Sequence, residues 1–224
     1  MLRIQERMAA AERKCGRSDT CTLIAVSKTQ PAESVRQAYE AGIRHFGENR
    51  VQEWEGKLPQ LQDLQGHWHL IGHLQSNKAA RAAKAFHTVD SVDDFAVAQR
   101  LDHARQESKS MDKLRILVEV RVSEEGTKEG ARAEELPSIL EKISQLAQLH
   151  VVGLMCIPPF HEDAEKVRPY FQRLRNIRDE LAKNTGRELP VLSMGMSHDF
   201  EVAIEEGATE IRVGTAIFGS RQSR

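Results

Sequence analysis

Lys28 is the residue whose type and place most invite a chemical reading. It closes the apolar, β-branched run Cys21-Thr22-Leu23-Ile24-Ala25-Val26-Ser27-Lys28, which reads as a buried strand whose end carries an amine. Side chains alternate along a strand, so Lys28 shares a face with Val26 and Ile24, the face that looks into whatever core the strand builds. The plain alternative is a lysine that marks the strand exit and reaches solvent or a carboxylate. Two turns near the far end of the chain offer a second chemistry. Ser197 and the pair Gly214-Thr215 each open a short helix, bringing a hydroxyl and unpaired amides of the kind that hold an anion. Either alone would equally serve as a helix cap or a tight turn. Arg212 alternates with Ile211 and Val213 and should face away from the side they pack on; its structural alternative is an internal ion pair with Glu210 or another carboxylate. His67, His69 and His73 share strand parity and could cluster as zinc ligands. Strand five adds no histidine and strand eight no aspartate at its end, so the set is incomplete and no metal is expected.

What must position these groups is a regular alternation of strands and helices. After the first strand, further strands read at 44–46, 67–71, 87–89, 114–120, 151–156, 191–194 and 210–213. Helices fill the intervals. Pro31 starts one and Gly42 stops it. Ser91, with Asp94 three residues on, gives a capping-box-like start to another, and the longest carries Val167, Tyr170, Phe171, Leu174, Ile177 and Leu181 as its apolar stripe. Eight strands separated by helices point to a parallel (β/α)8 TIM barrel rather than an open doubly wound sheet. The open sheet would want Gly-x-Gly-x-x-Gly after its first strand, where Ser27-Lys28-Thr29 stands. At 224 residues the chain is slightly short for a fold of typically about 250. Residues 1–17 read as an amphipathic helix that covers the gap after strand eight, and the whole of 1–224 reads as one domain.

Composition narrows the function classes. With 40% hydrophobic and 29% charged residues, the chain has the make-up of an ordinary soluble domain. A net charge of -1 with both signs mixed along the chain provides neither a basic stripe for nucleic acid nor a polybasic patch for a membrane. Cys15, Cys21 and Cys156 are an odd set without ligand spacing, which suits free thiols in a reducing cytoplasm. The opening residues lack the apolar core of a secretory signal, and no exposed apolar stripe calls for a partner, so a monomer is expected.

Closing the barrel brings the two chemistries together. Active sites of this fold form at the carboxyl ends of the strands, with phosphate held by the loops after strands seven and eight. Ser197, Gly214 and Thr215 occupy those loops, and strand one, with Lys28, lies beside strand eight. An amine next to a phosphate site suits an aldehyde with a phosphate tail. Pyridoxal 5′-phosphate (PLP), held as a lysine Schiff base, is the commonest cofactor of that type. Arg212 would face its ring. An arginine only donates hydrogen bonds, so the pyridine nitrogen stays unprotonated and the ring is a poor electron sink, fit for storage, exchange or mild chemistry.

The blocks Ile24-Ala25-Val26-Ser27-Lys28-Thr29, Phe46-Gly47-Glu48-Asn49, Trp68 to Lys78, Gly153-Leu154-Met155, Ser193 to Ser197 and Arg212 to Gly219 resemble the YggS/PROSC pyridoxal phosphate homeostasis proteins. The resemblance runs through nearly the whole chain. It implies a fold-type III PLP barrel similar to the amino-terminal domain of alanine racemases, without the carboxyl-terminal β domain. It places the cofactor on Lys28, its phosphate on Ser197, Gly214 and Thr215, its ring nitrogen by Arg212, and Asn49 in the pocket lining. Thr127-Lys128-Glu129-Gly130 stands where the family has a serine-lysine-x-glycine loop, Arg50 where an aromatic is frequent, and His198 where a smaller or acidic residue is usual. The implied role is intracellular PLP homeostasis, with supply of the cofactor to apo PLP-dependent enzymes and no catalytic residues. The alternative is a small PLP-dependent amino-acid racemase or transaminase-like enzyme. It would need a second acid-base group, such as His198 or His73, since both tyrosines lie on helix stripes and the chain stops before a racemase's second domain. A metal-dependent barrel hydrolase built on the histidines, and a regulatory interaction protein that merely carries the cofactor, complete the set.

Overall fold

Eight strands alternate with helices in the computed structural model, which describes residues 1–17, 20–108, 112–124 and 129–219. The strands are β1 (Thr22–Val26), β2 (His45–Glu48), β3 (His67–Leu70), β4 (Thr88–Val92), β5 (Leu114–Glu119), β6 (Leu149–Met155), β7 (Val191–Met196) and β8 (Glu210–Val213). Each pairs in parallel with the next, and β1 returns to β8 with Ile24 opposite Arg212, so the sheet closes into the expected barrel. The helices are α1 (Leu2–Lys14), α2 (Ala32–Glu40), α3 (Val51–Lys57), α4 (Ala79–Ala85), α5 (Phe95–Glu107), α6 (Leu136–Ile143), α7 (Arg168–Thr185), α8 (Phe200–Glu205) and α9 (Thr215–Phe218). No helix among the described residues is long and apolar enough to cross a membrane.

Alternation along each strand divides the side chains into an outer layer and an inner one. The outer layer carries the helices. Phe46 stacks on Trp68 with ring centroids 4.9 Å apart, and Trp54 of α3 stacks on Trp68 at 3.9 Å. The Trp54 Nε1–H donates to the carbonyl of Ala85 at 2.8 Å, which ties α3 to the end of α4. α1 covers the closure as expected: Arg7 makes a two-pronged contact with Glu201 of α8 and lies over the Phe200 ring, Lys14 meets Glu205, and Arg17 donates to the carbonyl of Ala208. Inside the barrel a separate apolar cluster of Leu117, Val152, Met155 and Val191 fills the β5–β7 side. Polar side chains share the interior, among them His45, His67, His69, Asp90, Ser193, Glu210 and Arg212, with the buried Ile24 in register with both His45 and Arg212.

Several boundaries differ from the sequence reading. β1 stops at Val26, so Lys28 lies in the turn beyond it and not on the strand. The helix that the sequence pattern extends over 51–61 ends as α3 at Lys57 and continues as a 3-10 turn over Leu58–Gln60, where Pro59 cannot donate to a regular α-helical ladder. β4 extends through Val92, which removes Ser91 from the start of α5. Asp94 is the cap, its Oδ1 accepting the Val97 N–H at 2.7 Å, while the buried Ser91 hydroxyl donates to the Gly72 carbonyl at 2.7 Å. The loop containing Thr127 and Lys128 lies outside the described residues.

Candidate functional site

The carboxyl ends of β7, β8, β1 and β2 stand side by side in the closed sheet, and they bring Ser197, Gly214, Thr215, Lys28 and Asn49 into one arc of the barrel mouth. Ser197 and Gly214 touch: the Gly214 N–H donates to the Ser197 hydroxyl at 3.1 Å, so the two loops form one surface. Gly195, just before, has φ +93, and a Cβ there would come within 2.5 Å of the Ala203 Cβ, which explains glycine at that turn. Asp199 draws the same loop tight by accepting the Met196 N–H at 2.6 Å. Thr215 opens α9, where the first amides of a helix have no partner within it. Gly214 has ordinary backbone angles. A Cβ on it would meet nothing nearer than Val26 at 3.4 Å, so glycine here keeps space open without relieving any clash.

Lys28 is half-buried and follows a peptide segment pinned on both sides. On its amino side, the Ser27 N–H donates to the Gly47 carbonyl at 3.0 Å and the Ser27 hydroxyl to Glu48 Oε1 at 2.7 Å. On its carboxyl side, the Thr29 N–H donates to Glu53 Oε1, and Thr29 holds φ +64, a left-handed conformation uncommon outside glycine. Both anchors converge on Lys57. Its buried Nζ donates to the Ser27 carbonyl at 2.8 Å, Glu48 Oε1 at 2.9 Å and Glu53 Oε1 at 2.8 Å. Burial raises the Glu48 carboxyl above its ordinary pKa, against the pull of Lys57 and Ser27. Burial also works to raise Glu53, but the bonds from Lys57 and the Thr29 amide outweigh it and hold that carboxyl low.

Arg212 points into the barrel, as its parity requires. Nη1 donates to the Ser193 hydroxyl and Nη2 to the Cys156 carbonyl, each at 2.8 Å. The ion pair with Glu210 does not form, and among the described residues no carboxylate lies within salt-bridge distance of this guanidinium. Asn49 is half-buried at the end of β2, and its Oδ1 is buried without a hydrogen-bond partner. Gly72 presses against it so closely that a Cβ there would fall 2.5 Å from the Asn49 carbonyl oxygen. From Asn49 a cavity of about 720 Å³ runs across the mouth past Ile71, Gln75, Lys78 and Glu119. Its lining stops short of Lys28 and Gly214, which form the opposite arc.

Glu119 is a site residue that the sequence reading passed over. It ends β5 at 4% exposure, and burial pushes its carboxyl up to about 7 despite the partial offset of Arg212. Its signal was parity with the inward Leu117. Lys57, Glu48 and Glu53 left no comparable signal, because nothing local says that a helix lysine turns under a neighbouring strand. The histidine triad does not assemble. His73 is partly exposed and faces Asp93 at 3.5 Å, while His67 and His69 lie inside the barrel next to His45.

With this geometry in place, likeness to known proteins becomes informative. The family model for the alanine racemase amino-terminal domain matches residues 2–222. A pyridoxal phosphate homeostasis protein of Aquifex aeolicus is 44% identical over 221 residues, spanning 98% of this chain and 96% of the relative. The chain belongs to the pyridoxal phosphate homeostasis protein family. PipY of Synechococcus elongatus, solved with and without PLP bound, superposes with a TM-score of 0.85 at 41% identity, covering 96% of this chain and all of PipY. An alanine racemase of Clostridium difficile superposes with a TM-score of 0.72 at 12% identity, a likeness of fold in which this chain covers 57% of the racemase. Family membership gives the arc of Lys28, Ser197 and Gly214 a context that the geometry alone leaves general.

Proposed function

We propose that this protein binds PLP through Lys28 and serves PLP homeostasis by holding the cofactor and passing it to apo PLP-dependent enzymes, without turnover of its own. The observation that carries the reading is the placement of Lys28 between Asn49 and the joined Ser197–Gly214 surface, with Arg212 below. The residues suit the cofactor on three counts. Asn49 Oδ1 is buried and lacks a partner, Gly214 leaves room that its backbone does not need, and Arg212 is fixed by Ser193 and the Cys156 carbonyl with no carboxylate within salt-bridge distance among the described residues. Ser197, Gly214 and Thr215 would take the phosphate and Asn49 a polar edge. When bound, PLP supplies an aldehyde that condenses with the Lys28 amine, releasing one water.

The chain's own groups favour retention and release over forceful chemistry. Arg212 has only donors and cannot give up a proton at ordinary pH, so it offers a ring nitrogen no proton to withdraw electrons with. Lys57 and Glu53 fix the backbone on each side of Lys28, which orients the amine. Candidates for a second acid-base group are engaged elsewhere: Tyr39 and Tyr170 lie on α2 and α7, His198 bonds the Glu162 carbonyl at 2.7 Å, and His73 faces Asp93. We place the protein in the cytoplasm as a monomer, a setting in keeping with the free thiols of Cys15, Cys21 and Cys156. The test is to incubate PLP-loaded protein with an apo-enzyme and score recovered activity, and in parallel to assay amino-acid racemisation and transamination by the protein alone. Transfer without turnover supports the reading. Sustained turnover without transfer supports the racemase or transaminase alternative.

A further inference from the structure

The barrel interior holds a second constellation, on the side away from the mouth, that the cofactor reading does not use. His69 on β3, Asp90 on β4 and Glu210 on β8 are 2%, 0% and 7% exposed. One donor atom from each lies within 4.8 Å of the others. Asp90 Oδ2 and Glu210 Oε2 are both buried without a hydrogen-bond partner. Neither carboxylate forms an ion pair with an arginine or lysine among the described residues. Arg212, two residues along β8, is committed to Ser193 and the Cys156 carbonyl, and Arg115 is exposed. Buried carboxylates are ordinarily paired with a cation or bound to a metal, and here the one basic side chain in contact with them is the His69 imidazole, which meets Asp90 alone.

The contacts of His69 fit the second case. Its Nδ1 lies 3.1 Å from Asp90 Oδ1, longer than the roughly 2.7–2.9 Å of a charge-assisted hydrogen bond. It is close to the separation of two neighbouring ligands on a tetrahedral ion, whose bonds of about 2.0–2.1 Å set donors roughly 3.3 Å apart. The other ring nitrogen, Nε2, faces His45 Nδ1 at 3.1 Å. With the proton on Nε2, His69 donates to His45 and presents a bare Nδ1, which is how a metal-bound imidazole is usually steadied from behind. His45 and His67 are only partly buried and stand at the amino-terminal end of the barrel, which gives an ion a way in.

We propose that His69, Asp90 and Glu210 form a binding site for one divalent transition-metal ion at the floor of the barrel. One imidazole with two carboxylates suits zinc or manganese better than magnesium or calcium, which favour all-oxygen shells. The ion would tie β3, β4 and β8 together beneath the mouth and brace the strand that presents Arg212. The sequence reading missed this because it looked for histidines at strand ends, whereas the second and third ligands are inward carboxylates on other strands.

The test uses tag-free, chelator-treated full chain, titrated with zinc chloride and with manganese chloride by calorimetry, alongside thermal melts with and without each ion. One site per chain is expected for at least one of the two ions, with a raised melting midpoint. Glu210→Gln and Asp90→Asn should each weaken binding at least tenfold and lose the metal-dependent rise. Each amide keeps the shape of the carboxylate it replaces and an oxygen that accepts, so the metal-free melting midpoints should stay close to that of the parent and the variants remain folded for the comparison. Absence of saturable binding by the parent would overturn the proposal, as would binding that survives in both variants.

Discussion

Replacing Lys57 by methionine removes one buried ammonium and keeps its aliphatic stem. That ammonium makes three bonds, to the Ser27 carbonyl, Glu48 and Glu53, and Glu48 is completely buried. Breaking a buried pair by removing one partner costs about 3–5 kcal/mol, since the remaining charge is left without compensation. Glu48 has a partial escape, because burial has already moved its pKa upward and a proton can take the place of the cation. We therefore expect the low end, about 3 kcal/mol. For a chain of this size each kcal/mol moves the midpoint by about 2–4 °C, which gives a fall of roughly 6–12 °C. The double variant Lys57→Met/Glu48→Gln should recover most of that loss, since the orphaned charge goes with the cation. What it should not recover is the fixed frame of Lys28. The Ser27 carbonyl keeps only the Gln30 N–H, and Glu53 loses the partner that holds it under the strained Thr29. Melting curves and the fraction of protein retaining PLP after gel filtration separate the two effects. The account expects both to drop in Lys57→Met, and only retention to stay low in the double variant. A midpoint within 2 °C of the parent, or full PLP retention in both variants, would refute the reasoning.

Three further outcomes follow from the site. Glu119 titrates near 7 in the folded chain and near 4.5 when unfolded, so the folded state keeps a proton that the unfolded state has already lost, and stability falls as pH rises between those values. Glu119→Gln should flatten that slope and raise stability at pH 8 by up to roughly 3 kcal/mol, read by denaturant melts at pH 5 and pH 8. His45 and His67, held by burial down to about 4 and about 3, work the other way, so stability should be lost as pH falls below about 6.5, and His67→Gln should lessen that loss. Ser197→Ala should weaken PLP binding roughly tenfold, the worth of one charge-assisted hydrogen bond, with a midpoint shift under about 3 °C; unchanged affinity would remove Ser197 from the phosphate site.

The barrel was readable from sequence because its punctuation is chemical. Pro31 and Gly42 bound α2, Gly207 with φ +98 ends the stretch before β8, and inward parity placed Arg212 correctly. Boundaries drifted where tertiary contacts decide them. Ser91 looked like a helix cap, yet it is a buried strand residue that bonds the Gly72 carbonyl, a partner nineteen positions away. Lys57 carries no local signal in the sequence, and only the closed barrel turns it beneath β1. Arg212 was read as inward, but Ser193 and the Cys156 carbonyl could not be named as its partners, because register between distant strands is set by the whole sheet. The arc of Lys28, Ser197 and Gly214 was legible once β8 was placed beside β1. The orphaned oxygens of Asn49, Asp90 and Glu210 were not, since a missing partner is visible only after packing.

The central claim is the covalent link at Lys28, and the most direct measurement is the absorbance spectrum of the protein with PLP before and after borohydride, followed by mass mapping of the reduced adduct. The account predicts a yellow band that borohydride removes, one adduct per chain on the peptide containing Lys28, and no adduct in a folded Lys28→Ala variant. An adduct on another lysine, or a protein that stays colourless and unmodified with added PLP, would contradict it.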